Sequence, residues 1–106
     1  MKSGKVYKIV CNTTGYVYIG STVKSLCSRL SGHICSYNKY VLDNRYGFCT
    51  SFIVLVNDDY EMQLIEDGIY NEDLLREREA YHIKLIDPNK CVNRVIPHSG
   101  KRNVNK

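Results

Sequence analysis

The chain has 106 residues and a net charge of +4, with 43% hydrophobic and 25% charged residues, which is ordinary for a soluble globular protein. This length suits one small domain and excludes two. No apolar run approaches the roughly 18 residues of a membrane span, and residues 1–5 lead straight into a predicted strand, so we expect neither a membrane protein nor a secretory signal. The mild positive charge is compatible with a phosphate-bearing partner.

The cysteines number five and include no C-x-x-C pair. An odd count without ligand-like spacing argues against a zinc site. We therefore expect free, buried thiols in a reducing, intracellular compartment. The residues concerned are Cys11, Cys27, Cys35, Cys49 and Cys91.

A β-hairpin is predicted first, with strands at residues 6–10 and 16–19 around the turn 12–15. β-branched and aromatic runs joined by an Asn- and Gly-bearing turn are typical of this motif. Because side chains alternate along a strand, Tyr7 and Tyr18 can lie on the same side of the sheet.

A helix follows the hairpin. Gly20 is expected to let the chain leave the second strand tightly toward this helix. Thr22 or Ser25 can cap the helix, which is expected to run to about Tyr37. Its apolar positions recur at helical spacing: Leu26, Leu30, Ile34 and Tyr37.

Two polar side chains of this helix point toward the sheet, since His33 falls inside the apolar stripe and Arg29 at its edge. A buried guanidinium without a partner is costly, so Arg29 requires either a carboxylate or a phosphate. A structural salt bridge for Arg29 and a satisfied core position for His33 both remain open.

Residues 38–48 are polar and rich in Tyr, which predicts a loop. The next segment, 50–56, is ambiguous because its β-branched residues favour a strand, whereas Ser51 as a cap favours a short helix. We predict the helix.

The second half of the chain begins with a turn at residues 57–59. Alternation over 60–66 predicts a third strand, which Asp67-Gly68 should end. A second long helix is expected over 71–86, stopped before Asp87-Pro88.

Glu79 lies on the core-facing stripe of this helix, whereas Glu77 points toward water. A carboxylate there requires a cation, either a basic side chain or a metal ion. The stripe contains Leu75, Glu79, His82, Ile83 and Ile86.

The hairpin carries a recognisable motif: Val6-Tyr7, ten residues, then Tyr18-Ile19-Gly20. This pattern resembles the signature of the GIY-YIG nuclease family. The first element departs from it, because Lys5-Val6-Tyr7 stands where the family has Gly-Ile-Tyr, although Gly4 is adjacent.

The resemblance extends from Lys5 to about Asn93. The family places an Arg, often with a His four residues on, in the first helix, and here these are Arg29 and His33. It places a Glu within a run similar to residues 78–83, which is Glu79, and an Asn after that helix, which is Asn93.

Residues 60–84 are especially similar to phage intron-homing members. Two departures are visible. Some homing members carry a further His where this chain has Cys49-Thr50, so the number of groups that polarise the phosphate differs. Homing members also append a DNA-binding region, which we do not expect here.

The resemblance implies an α/β (α+β) fold in which three antiparallel strands are flanked by helices. We expect a catalytic domain at residues 1–96 and a basic, flexible tail at 97–106. The implied activity is metal-dependent DNA endonuclease, with Mg²⁺ or Mn²⁺ held by Glu79, because Mg²⁺ often takes one carboxylate and keeps its waters.

Each remaining residue of the motif then receives a role. As the resemblance implies, Tyr7 is the general base for the attacking water, so a nearby Arg, Lys or metal-bound water must favour its phenolate. Tyr18 orients that water or Tyr7 and contacts phosphate. Arg29 binds phosphate oxygens. His33 hydrogen-bonds phosphate or shuttles a proton, and Asn93 braces the site or contacts DNA.

Two other classes of protein remain as alternatives. One is a nucleic-acid-binding module without activity, and the other is an adaptor in which Glu79 pairs with Arg29 or Arg78. For a nuclease, residues 37–47 and the tail are the expected DNA contacts. A dimer or a separate DNA-binding domain could add specificity.

Overall fold

The computed structural model describes residues 2–43 and 49–93 and has one sheet with helices on both faces. The strand order is β2-β1-β3, and both pairings are antiparallel. The predicted fold class is therefore confirmed. The elements are β1 (Gly4–Cys11), β2 (Val17–Thr22), α1 (Leu26–Leu42), α2 (Phe52–Leu55), β3 (Tyr60–Ile69) and α3 (Glu72–Leu85).

The hairpin of β1 and β2 has the predicted turn. Gly15 adopts φ 79°, a left-handed conformation that suits glycine, and its N–H donates to the Cys11 carbonyl at 2.8 Å. In the register, Tyr7 lies opposite Gly20 and Ile9 lies opposite Tyr18. Tyr7 and Tyr18 therefore share a face, as predicted.

The third strand is longer than predicted, because Asp67-Gly68 does not end it. Ser3 holds this segment: its hydroxyl donates to Asp67 Oδ1 at 2.8 Å and accepts from the Gly68 N–H at 3.0 Å. The ladder resumes at the pair Gly4–Ile69 after an irregularity in register. Long-range contacts to β1 thus override the local turn signal.

The two faces of the sheet carry separate apolar clusters. On one face, α1 and α2 cover a cluster that includes Tyr7, Ile9 and Phe52. On the other, α3 packs against residues that include Val6 and Ile19. The alternation of side chains along β1 assigns neighbouring residues to opposite layers.

Helix α1 begins after Ser25, whose hydroxyl accepts from the Ser28 N–H at 3.1 Å, while Thr22 ends β2. The predicted end near Tyr37 and the loop predicted from residue 38 are wrong, because the helix continues to Leu42. Tyr37 and Tyr40 pack on Phe52 with ring centroids 5.5 and 5.3 Å apart, so contact with α2 extends the helix. The rest of that predicted loop includes residues 44–48, which lie outside the described part of the chain.

The other two helices form as predicted. The short helix α2 lies within residues 50–56, and α3 begins after Asn71, whose side chain accepts from the Leu74 N–H at 3.0 Å. Helix α3 ends at Leu85, before Asp87-Pro88. The predicted tail at 97–106 lies outside the described residues. Within residues 2–43 and 49–93, no helix is long and apolar enough to cross a membrane.

All five cysteines are free thiols, but the expectation that they are buried is wrong for most of them. Cys11 is buried in β1, and Cys91 is partly buried. Cys27, Cys35 and Cys49 are exposed. The helical positions of Cys27 and Cys35 lie outside the core-facing stripe of α1, which explains their exposure.

Candidate active site

The Tyr7 hydroxyl crosses over Gly20 on the neighbouring strand. A Cβ atom at position 20 would lie 2.4 Å from the Tyr7 oxygen, a distance that no real contact allows. Gly20 is therefore required by the close approach of this phenol. The predicted role in leaving the hairpin is wrong, since β2 continues through Gly20 to Thr22.

Substitution of Gly20 by Ala is expected to displace the Tyr7 ring and lower the free energy of unfolding by about 1–3 kcal/mol, the usual cost of overpacking. Chemical denaturation measures the loss. Gly32→Ala in α1 is the control, because its Cβ would meet only Arg29 Nη1, at 3.7 Å, and alanine favours a helix. Equal stability of Gly20→Ala and wild type would contradict this packing.

Three rings form one cluster on this face of the sheet. The Tyr7 and Tyr18 centroids are 6.4 Å apart, and His33 lies 6.0 Å from the first and 5.3 Å from the second, edge-on to both. The Tyr7 hydroxyl and His33 Nε2 are hydrogen bonded at 2.8 Å. The structure thus brings three of the six predicted site residues into contact.

His33 is buried, and both of its ring nitrogens are already hydrogen bonded. Its Nδ1 lies 3.1 Å from the Ser51 hydroxyl, a partner that the sequence analysis did not identify. Burial, aided by the positive charge of Arg29, lowers the pKa of His33 to about 4, so the ring is neutral at pH 7. Of its two predicted roles, proton transfer fits these contacts, and phosphate binding does not.

Arg29 is the cation of this cluster. Among the residues that the structure describes, no Asp or Glu forms an ion pair with it. Its positive charge acts on Tyr7, Tyr18, His33 and Glu79. The structural salt bridge left open above is therefore not formed, and the guanidinium remains available for an anion.

Both phenols are protonated in the free protein. Burial raises the pKa of Tyr7 to about 12, and the neighbouring Arg29 only partly offsets this effect. Burial likewise raises the pKa of Tyr18. The expectation that a nearby cation favours the Tyr7 phenolate is therefore wrong for the free protein, because desolvation of the charged form outweighs the attraction.

Glu79 reaches the site from the opposite face of the sheet. It is 9% exposed on α3, and the Ser21 hydroxyl donates to its Oε1 at 2.5 Å. Ser21 follows Gly20 in β2, so the groups from the two faces approach each other at these two residues. The charge of Glu79 accordingly acts on Tyr7 and Tyr18.

The Glu79 carboxylate is a buried charge without a salt bridge among the described residues. Burial raises its pKa, and the Ser21 hydrogen bond and the charges of Arg76 and Arg29 only reduce this shift. Arg78, one partner proposed for it in an adaptor, instead pairs with Glu66 at 2.8 Å. Neither predicted pairing of the adaptor alternative is present.

The fit of this site to a divalent ion rests on Glu79. Within residues 2–43 and 49–93, no group of three or more His, Cys, Asp or Glu side chains could hold a metal. A single unpaired carboxylate is nevertheless a donor that suits Mg²⁺ or Mn²⁺, which complete their shells with water and substrate oxygens. Glu79 can therefore supply one protein ligand for such an ion.

Asn93 braces the outer edge of β2. Its Oδ1 accepts from the Ile19 N–H at 2.9 Å, and its Nδ2 donates to the Ile19 carbonyl at 2.8 Å. The preceding residues also follow this edge, since Val17 forms a parallel bridge with Cys91. Because both ends of the Asn93 amide are occupied, bracing fits the contacts better than DNA binding.

Removal of this brace by Asn93→Ala should lower the free energy of unfolding by about 1–3 kcal/mol, because the Ile19 N–H and C=O lose their partners. Thermal denaturation measures the change. Asn89→Ala is the matched control, since Asn89 is exposed and its side chain does not bind β2. An equal effect of the two substitutions would show that the amide does not brace the strand.

The fold is that of a small nuclease domain, as comparison with protein-family models shows. The family model described as GIY-YIG catalytic domain matches residues 3–91, so the chain belongs to the GIY-YIG family. No curated protein and no solved structure matches the chain. The family resemblance is thus confirmed, whereas the particular similarity to phage homing members stays a prediction.

Proposed function

We propose that the protein is a DNA endonuclease that hydrolyses phosphodiester bonds with the help of a divalent ion. One observation carries the proposal: Arg29 and Glu79 act on the same pair of phenols, yet neither has an ion-pair partner among the described residues. Unpaired charges of opposite sign are costly inside a protein. A phosphate for the first and a divalent cation for the second would satisfy both.

The attacking water is proposed to lose its proton to Tyr7. Since this phenol is protonated at rest, it must pass its own proton to His33 Nε2 as it takes one from the water. The new bond joins the water oxygen to phosphorus, and the bond from phosphorus to the leaving oxygen breaks. Because the pKa of His33 is only about 4, its imidazolium then releases the proton to solvent, and solvent protonates the leaving oxygen. General base catalysis of this kind contributes about 10²–10⁴-fold to a rate.

The charged groups stabilise the phosphate in this scheme. Arg29 is proposed to donate two hydrogen bonds to non-bridging oxygens, where negative charge gathers. A divalent ion held by Glu79 would supply charge neutralisation at the phosphate and at the leaving oxygen. Tyr18, whose ring contacts that of Tyr7, would hold the water in line.

We also propose a biological setting for this nuclease. The similarity of residues 60–84 to phage homing members favours a viral or mobile element as the source. Free thiols favour a reducing, intracellular compartment. A dimer or a further DNA-binding domain would supply the specificity that one small domain lacks.

The test uses one labelled DNA duplex for both binding and cleavage. We expect binding that weakens with NaCl, as phosphate contacts require, and cleavage that needs Mg²⁺ or Mn²⁺. Salt-dependent binding without cleavage under either ion would favour the binding module. Nicked, flap and branched duplexes in the same assay would identify the preferred DNA structure.

A further inference from the structure

Ser51 lies at the start of α2, and its buried hydroxyl does not cap the helix. Its side chain is 0% exposed and makes no capping hydrogen bond to the helix. It instead lies 3.1 Å from His33 Nδ1 and donates to Cys49 Sγ at 3.4 Å. Because a buried hydroxyl is normally satisfied by hydrogen bonds, the role of Ser51 lies in its effect on His33 and Cys49.

The direction of these hydrogen bonds follows from the number of protons. A serine hydroxyl has one proton, and that of Ser51 is directed to Cys49. With that proton directed to Cys49, the Ser51 oxygen accepts at its contact with His33, an arrangement in which the Nδ1 of the neutral ring carries the proton. The Nε2 atom is then a bare acceptor, and the Tyr7 hydroxyl donates to it.

We propose that Ser51 is a positioning residue that selects the Nδ1–H tautomer of His33 and thereby keeps an unprotonated Nε2 against the Tyr7 hydroxyl. The consequence for the rate rests on the proposed function, whereas the tautomer itself does not. Ser51 contacts His33 and Cys49, and it acts on the reaction through the imidazole.

The opposite tautomer of His33 would prevent Tyr7 from passing its proton to the imidazole. With a proton on Nε2, His33 would donate to the Tyr7 oxygen and occupy a lone pair that should receive the water proton. Tyr7 would then have no acceptor for its own proton. The other groups that face the ring are Tyr18 and Arg29, and neither fixes the proton on Nδ1.

The experiment measures the ¹⁵N NMR signals of the His33 ring in the free protein at pH 7. In wild type we expect a protonated Nδ1 and an unprotonated Nε2. In Ser51→Ala we expect a mixture of both tautomers and a drop in the cleavage rate of about 10–100-fold, part of the loss typical of a general base. Ser51→Thr keeps the hydroxyl and should restore the Nδ1–H signal.

Thr50→Ala is the matched control, because it removes a hydroxyl from the same turn, and the two His33 nitrogens are hydrogen bonded to Tyr7 and Ser51 instead. We expect wild-type tautomer and rate for this variant. A wild-type ring with its proton on Nε2, or a Ser51→Ala ring that stays wholly Nδ1–H, would overturn the proposal. These NMR signals are measured without DNA, so they test the tautomer independently of the proposed function. The proposed function fails only if the wild-type protein does not cleave DNA.

Discussion

Glu79→Gln is expected to abolish cleavage and at the same time to stabilise the fold. The amide keeps the shape of the side chain and can still accept the Ser21 hydrogen bond. It cannot supply the negative charge that holds a cation, so we expect the cleavage rate to fall by at least about 10²–10³-fold. DNA binding should persist, because Arg29 is untouched.

The gain in stability follows from the raised pKa of Glu79. A carboxyl group whose pKa is higher in the folded state destabilises the fold as pH rises from its ordinary value of 4.5 through the folded pKa. That penalty is present in wild type above the folded pKa and is absent from Glu79→Gln at every pH. We expect the variant to be more stable by about 0.5–2 kcal/mol, with the difference vanishing below pH 4.5.

Denaturation at pH 7 and pH 4, together with the duplex assay, tests both halves of this prediction. Glu77→Gln is the matched control, since Glu77 is exposed on the same helix. A variant that is less stable than wild type at pH 7 would mean that Glu79 is a structural residue. Unchanged cleavage would remove it from the proposed metal site.

Tyr7→Phe is expected to give the second largest loss of activity. The ring that fills the core is kept, and only the hydroxyl that contacts His33 Nε2 is removed. The cleavage rate should fall by about 10²–10⁴-fold, the contribution of a general base. Stability should fall by about 1–2 kcal/mol, because His33 loses a buried hydrogen bond.

Single-turnover cleavage, with protein in excess of DNA and above the dissociation constant, measures this loss free of binding effects. Tyr16→Phe is the control, because Tyr16 lies on the same hairpin but is 37% exposed. Cleavage by Tyr7→Phe at the wild-type rate would exclude the phenol as the base and leave Tyr18 as the candidate.

Local sequence patterns were sufficient to predict most of the fold. The Asn- and Gly-bearing turn predicted the hairpin, and helical spacing predicted α3 with Glu79 on its buried side. Contacts between distant segments caused the errors. Packing of Tyr37 and Tyr40 on Phe52 lengthened α1. No local sequence pattern predicts such contacts between distant residues.

The candidate site was predicted through the family motif, and the structure adds the residues that hold it. Ser21 and Ser51 were not singled out as site residues, because serine is common and neither lies in a motif. Gly20 was given the wrong role, since the passage of the Tyr7 phenol over it depends on the strand register. Such roles follow only from three-dimensional contacts.

The most direct test of the account is the conversion of supercoiled plasmid by the wild-type protein in Mg²⁺. The account predicts nicked or linear DNA that stops accumulating when EDTA is added. Plasmid that stays supercoiled in both Mg²⁺ and Mn²⁺, at protein concentrations that bind it fully, would contradict the claim that the tyrosines, Arg29 and Glu79 form a hydrolytic site.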